Sequence, residues 1–96
     1  MFIPVIFHFS LMYNLVSIVS RGSVRKKVLK GLLRPNTPTE LAKVLGIARS
    51  AVSRAIQVLE KAGLVECLTP DEKMNRYYRT TEIGKKVVDI IDGKAE

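Results

Sequence analysis

Hydrophobic residues along this chain recur mostly at helical spacing, with one interval of alternation near the middle. Leu11, Leu15 and Ile18 follow an i, i+4, i+7 pattern, and Met12, Val16 and Val19 repeat it one position later. That predicts a helix with two apolar sides, one for its own domain and one for a second copy. Val24, Val28, Leu29 and Leu32 mark the buried face of a second helix over residues 23–33. Arg25, Lys26, Lys27 and Lys30 lie off that face and read as a solvated side of the helix, or as a second polyanion contact. Gly22 breaks or bends the join between the two helices, and Pro35 ends the second, since proline cannot continue a helix.

Thr37-Pro38-Thr39-Glu40 then has the form of a helix start. Thr37 suits the N-cap, Pro38 the first helical position, and Glu40 completes a capping box. Leu41, Val44 and Leu45 are the expected buried stripe, and Gly46 the left-handed stop. A further helix is expected from Arg49 to about Ala62, with Val52, Ile56 and Leu59 inward. Ser50, Ser53, Arg54 and Gln57 cluster within about 60° on the opposite face, which is polar and free of acid. After Gly63, residues 64–68 read as a strand, 69–75 as a loop and 76–80 as the returning strand, with Tyr78 inward and Tyr77 outward. Thr81 caps a last helix whose apolar side is built by Ile83, Val87, Val88, Ile90 and Ile91. The fold class is α+β, mainly α, in the order helix, helix, helix, β hairpin, helix.

Composition narrows the function. The chain has 96 residues, 47% hydrophobic and 26% charged, which suits one globular domain. One Cys and one His exclude a disulfide framework and a structural zinc site. Cys67 reads as a small core or half-buried residue rather than a redox switch. Without Trp, and at 6% aromatic, a stacking platform for single strands is a poor fit. The net charge of +7 points to a polyanion or an anionic membrane surface.

The charge is uneven, because residues 1–20 hold no Lys, Arg, Asp or Glu. Pro4, His8, Ser10, Asn14, Ser17 and Ser20 interrupt this stretch, which is barely the length a membrane helix needs. No positive n-region precedes it, which disfavours a signal peptide. The remaining reading divides it into an apolar leader, residues 1–12, and the first packing helix, with Met12 an alternative start. The main domain is then 13–92, with a short tail at 93–96.

Two helices joined by a short glycine-containing turn form a helix-turn-helix. Residues 38–57 resemble that motif, with Leu41, Ala42, Leu45, Gly46, Ile47 and Val52 at its core and turn positions. Leu59-Glu60-Lys61-Ala62-Gly63-Leu64-Val65 and Tyr78-Arg79-Thr80-Thr81-Glu82-Ile83-Gly84-Lys85 resemble winged helix-turn-helix transcription regulators of the ArsR-like and MarR-like kind, the small single-domain archaeal type above all. The sequence departs from that pattern at Ala48, where a capping Ser or Thr is usual, and at Thr80, where Leu is usual. Asp71 and Glu72 in the wing, and residues 1–10, also depart from it.

The resemblance implies a cytoplasmic, sequence-specific regulator that binds double-stranded DNA as a homodimer, with the second helix of the motif in the major groove. Arg49 and Arg54 are the candidates for guanine or phosphate, Ser50 and Ser53 for close approach, and Gln57 for adenine. The amides of Thr39 and Glu40 are candidates for a phosphate. Lys73, Arg76 and Arg79 would make wing contacts to the backbone. Leu11, Leu15, Ile18, Val19, Val87, Ile90 and Ile91 are the expected dimer interface. No catalytic constellation, phosphate-binding glycine loop, cofactor or metal set is present in the sequence, so an enzyme is not expected, and no residue names an effector. A winged-helix adaptor for proteins and a regulator tethered to the membrane through residues 1–20 are the competing readings.

Overall fold

The computed structural model describes residues 14–93. Residues 14–20 are helical (α1), and α2 follows at Ser23–Gly31, α3 at Pro38–Leu45 and α4 at Arg49–Lys61. The hairpin strands are β1, Val65–Cys67, and β2, Tyr78–Thr80, and α5 spans Glu82–Ile91. From α2 onward this is the expected order of three helices, hairpin and helix, and α1 falls where the first packing helix was expected; the fold class is the expected one, a mainly helical winged helix-turn-helix.

The helices start and stop where local chemistry dictates. Thr37 Oγ1 accepts the Glu40 amide at 3.2 Å, and Thr81 Oγ1 accepts the Gly84 amide at 3.1 Å. The expected capping box is only half made. Asn36 Oδ1 takes the Thr37 amide at 2.8 Å, and the Glu40 carboxylate pairs instead with Lys43. Gly46 adopts φ 67°, the left-handed conformation that lets its amide and that of Ile47 reach back to carbonyls of α3. Gly22 is extended and separates α1 from α2.

Among the described residues, the five helices and the base of the hairpin enclose one core. Val28, Leu29, Leu32, Leu41, Val52, Leu59 and Leu64 are at most 1% exposed, and α4 packs against α2, α3 and β1. Val44 is the exception to the expected stripe on α3, at 75% exposed. The inward face of α3 is centred on Leu41, Ala42 and Leu45, which turns Val44 about a quarter of a circle away.

The hairpin is shorter than its alternation suggested. Leu64 donates its amide to Leu59 at the end of α4, and the Thr69 hydroxyl takes the Tyr77 amide, so each strand retains three residues. The strands are antiparallel, with Val65 opposite Thr80, Glu66 opposite Arg79 and Cys67 opposite Tyr78. Tyr78 packs against the core and Tyr77 is exposed, as the alternation requires.

The second edge of β2 is also paired. Tyr78 exchanges two backbone hydrogen bonds with Asn36, at 2.9 and 3.1 Å, and the Thr80 amide donates to Leu32 at 2.8 Å. Thr80, the departure from the usual Leu, is 1% exposed, and its hydroxyl donates to the Leu29 carbonyl at 2.7 Å. A hydroxyl therefore satisfies a carbonyl near the end of α2 that an apolar side chain would leave bare. Gly84 fits closely beneath the same strand. A Cβ there would collide with the Leu64 carbonyl oxygen and stand 2.5 Å from Thr80 Cγ2.

Candidate nucleic-acid interface

The outer face of α4 carries Ser50, Ser53, Arg54 and Gln57, all exposed except the half-buried Ser53. The helix holds that face outward because Val52, Ala55, Ile56 and Leu59 are buried beneath it. Ala48 leaves the start of α4 without a side-chain cap, and the first turn contains no acid.

On one flank, the hairpin loop faces the starts of α3 and α4 across a cleft of about 260 Å³. Arg49, Lys73 and Arg76 supply three cations to its walls, and Thr39 and Tyr78 close it. No acidic residue lines it. Pro38 has no amide proton, and Thr37 Oγ1 engages the Glu40 amide. Of the two amides expected to be open at the start of α3, that leaves Thr39. Arg76 is steadied by a hydrogen bond from its Nε to the Glu72 carbonyl. Asn75 turns the loop with φ 56°, and Asp71 and Glu72 lie outside the cleft lining.

Arg79 is placed differently from Lys73 and Arg76. It points along the outer face of the hairpin and pairs with Glu66 opposite it, at 3.1 Å. It does not line the cleft. Arg25, read as solvated or as a polyanion contact, has a structural role as well. Its guanidinium donates to the Ile18 carbonyl at 2.8 Å and ties α2 to the end of α1. Lys30 pairs with Asp92 at 3.1 Å and joins α2 to the end of α5. Neither partner could be read from the sequence, because each lies on another element.

The residues expected to form a dimer interface divide. Leu15, Val19 and Val87 are at most 7% exposed and belong to the domain's own core, so their apolar surface is not available to a second copy. Helical periodicity identifies an apolar side without saying which partner covers it. Ile18 and Ile91 are half-buried against the core, while Ile90 is 40% exposed and Ile83, also on α5, is 43% exposed. Leu11 lies outside the described residues. Among the described residues, no helix is long and apolar enough to cross a membrane, and no three His, Cys, Asp or Glu side chains come together as a metal site.

Residues 22–67 match the helix-turn-helix domain family. No curated protein matches the chain significantly. Solved structures do. A MarR family transcription regulator superposes with TM-score 0.69 at 22% identity, covering 91% of this chain and 62% of its own. ZitR of Lactococcus lactis gives 0.66 at 20%, covering 76% and 51%. A MarR variant from E. coli, complexed with operator DNA, gives 0.67 at 26%, covering 88% and 62%. This chain thus has the winged helix-turn-helix fold of MarR-family regulators and spans little more than half the length of these three proteins.

Proposed function

We propose that this domain is a DNA-binding transcription regulator that reads duplex DNA with the outer face of α4. One observation carries the reading. An acid-free strip of Ser50, Ser53, Arg54 and Gln57 runs beside a cleft walled by Arg49, Lys73 and Arg76. A helix in the major groove needs short polar side chains for close approach, a fork-shaped donor for a base edge, and cations for the adjoining phosphate ridge. The geometry supplies each. Arg54 is the base-reading residue in this proposal, and Lys73, Arg76 and the Thr39 amide hold backbone. Arg79, occupied by Glu66, contributes less than the other two wing cations.

The active unit is a homodimer acting in the cytoplasm. Ile83 and Ile90 supply exposed apolar surface on α5 for a second copy, and a two-fold unit matches half-sites about one helical turn apart. The MarR structure in complex with operator DNA supports the DNA-binding part of this reading by likeness of fold.

The test is to select binding sites from a random duplex pool at rising salt. Enriched sites should contain inverted half-sites separated by about one helical turn. Arg54→Ala should flatten preference at one position of each half-site while leaving non-specific binding in place. Enrichment of single, unpaired half-sites would sink the homodimer. Failure to retain any duplex near physiological salt would sink the DNA-binding reading.

A further inference from the structure

The other flank of α4 holds a second, larger depression. It has a volume of about 570 Å³ and lies between the α1–α2 junction and the side of α4 away from the wing. Arg21 and Arg25 stand on the junction side and Arg54 on the helix side, over a floor that includes Val24, Ala55 and Val58. No acidic residue lines it. The sequence pattern offered Arg25 as a solvated or polyanion-contacting residue but gave Arg21 no part in binding. Arg21 in particular is an exposed turn residue.

Three features suit this trough to a phosphate backbone. Arg54 and Gln57 belong both to its wall and to the outer face of α4, so it is continuous with the proposed reading face. It lies on the opposite side of α4 from the wing cleft, which shares none of its lining residues. A helix seated in a major groove has one phosphate ridge on each side, and the wing cleft accounts for only one of them. Arg25 also has capacity left. A guanidinium carries five N–H donors, and the bond to the Ile18 carbonyl comes from one terminal nitrogen.

We propose that the Arg21–Arg25 trough binds the phosphate ridge of duplex DNA opposite the one held by the wing. This rests on the reading that α4 enters the major groove. The α1–α2 junction is then part of the DNA interface.

The experiment measures binding of the full chain to a mixed-sequence duplex by fluorescence anisotropy between about 50 and 200 mM salt. The slope of log affinity against log salt reports how many phosphates are neutralised, at about 0.9 for each. Arg21→Ala should lower the slope by about that amount, Arg21→Lys should restore it, and Lys85→Ala, on α5 and paired with Glu82, should leave it unchanged. Circular dichroism checks that each variant is folded. A wild-type slope in Arg21→Ala, with steep wild-type binding intact, overturns the trough alone. If benzoate then shifts the amide resonances of Ala51, Ala55 and Val58, the trough is a small-anion site instead. Absence of salt-dependent duplex binding by the wild type overturns this proposal together with the one beneath it.

Discussion

The base of the wing and its tip are built from the same hairpin and to opposite specifications. At the base, β2 is paired on both edges, Thr80 is buried with its hydroxyl bonded to Leu29, and Gly84 leaves no room for a methyl group. At the tip, Lys73, Met74, Asn75 and Arg76 are all exposed, with Met74 at 76%. A residue at the base is constrained by what it touches inside the subunit. A residue at the tip, apart from the loop's own turn at Asn75 and the Arg76–Glu72 hydrogen bond, is constrained by what it meets outside. Stability and binding should therefore separate along about ten residues of chain.

The sharpest way to break that comparison is Gly84→Ala. The new Cβ has backbone on one side and Thr80 on the other, so the strand or α5 must move, at a cost of about 3 kcal/mol. Chemical denaturation should show the midpoint falling accordingly, and an unchanged midpoint would mean the base is looser than described. Thr80→Val keeps the shape and removes the donor. It leaves the Leu29 carbonyl buried without its partner, and should cost about 2 kcal/mol. If Val is neutral there, the hydroxyl is only filling space.

The double change Lys73→Ala and Arg76→Ala should do the reverse. Its effect on unfolding should stay within about 0.5 kcal/mol, as expected for surface positions, while the salt dependence of duplex binding falls by about 0.9 for each phosphate the wing no longer holds. A large loss of stability would erase the distinction between base and tip. The smallest effect belongs to Glu82, where the chain leaves the wing. A hydrogen bond from Lys85, and then its charge, hold this carboxyl below the ordinary glutamate range, with Arg79 and Lys86 adding to it. A depressed folded-state value stabilises above the unfolded range, and that contribution is lost as pH falls through the folded one. The melting-temperature gap between wild type and Glu82→Gln should therefore close in acid. A gap constant with pH would show that the ion pair is not its source.

Much of this was legible in the chain. The apolar spacing of Val28, Leu29 and Leu32, and of Val52, Ile56 and Leu59, located two helices and their buried faces. Thr37, Thr81 and Gly46 marked ends because their chemistry acts within a few residues. What remained hidden depends on distant partners. Asn36 and the Leu32 carbonyl pair the outer edge of β2, and so short an isolated pairing leaves no periodic signal. Thr80 reads as a defect until the Leu29 carbonyl is known to lie above it. Arg25 reads as one more solvated cation until Ile18 is placed beside it. Leu15, Val19 and Val87 show the same limit in reverse, since their pattern records burial but not whether the cover is the same chain or another. The outer face of α4 was visible from helical spacing alone. The two clefts beside it required the elements to be assembled first.

The double pairing of β2 also bears on the order of events during folding. The two strands can meet by closing a short loop, which is fast. The other edge must find Asn36, and the Thr80 hydroxyl must find a carbonyl 51 residues earlier in the chain. Closing so long a loop costs entropy before the pairing returns any stability. The hairpin is therefore expected to dock after α2, α3 and α4 have assembled. Substitutions at Thr80 would then quicken unfolding more than they slow folding, and the wing would be the last part of the domain to arrive and the first to leave.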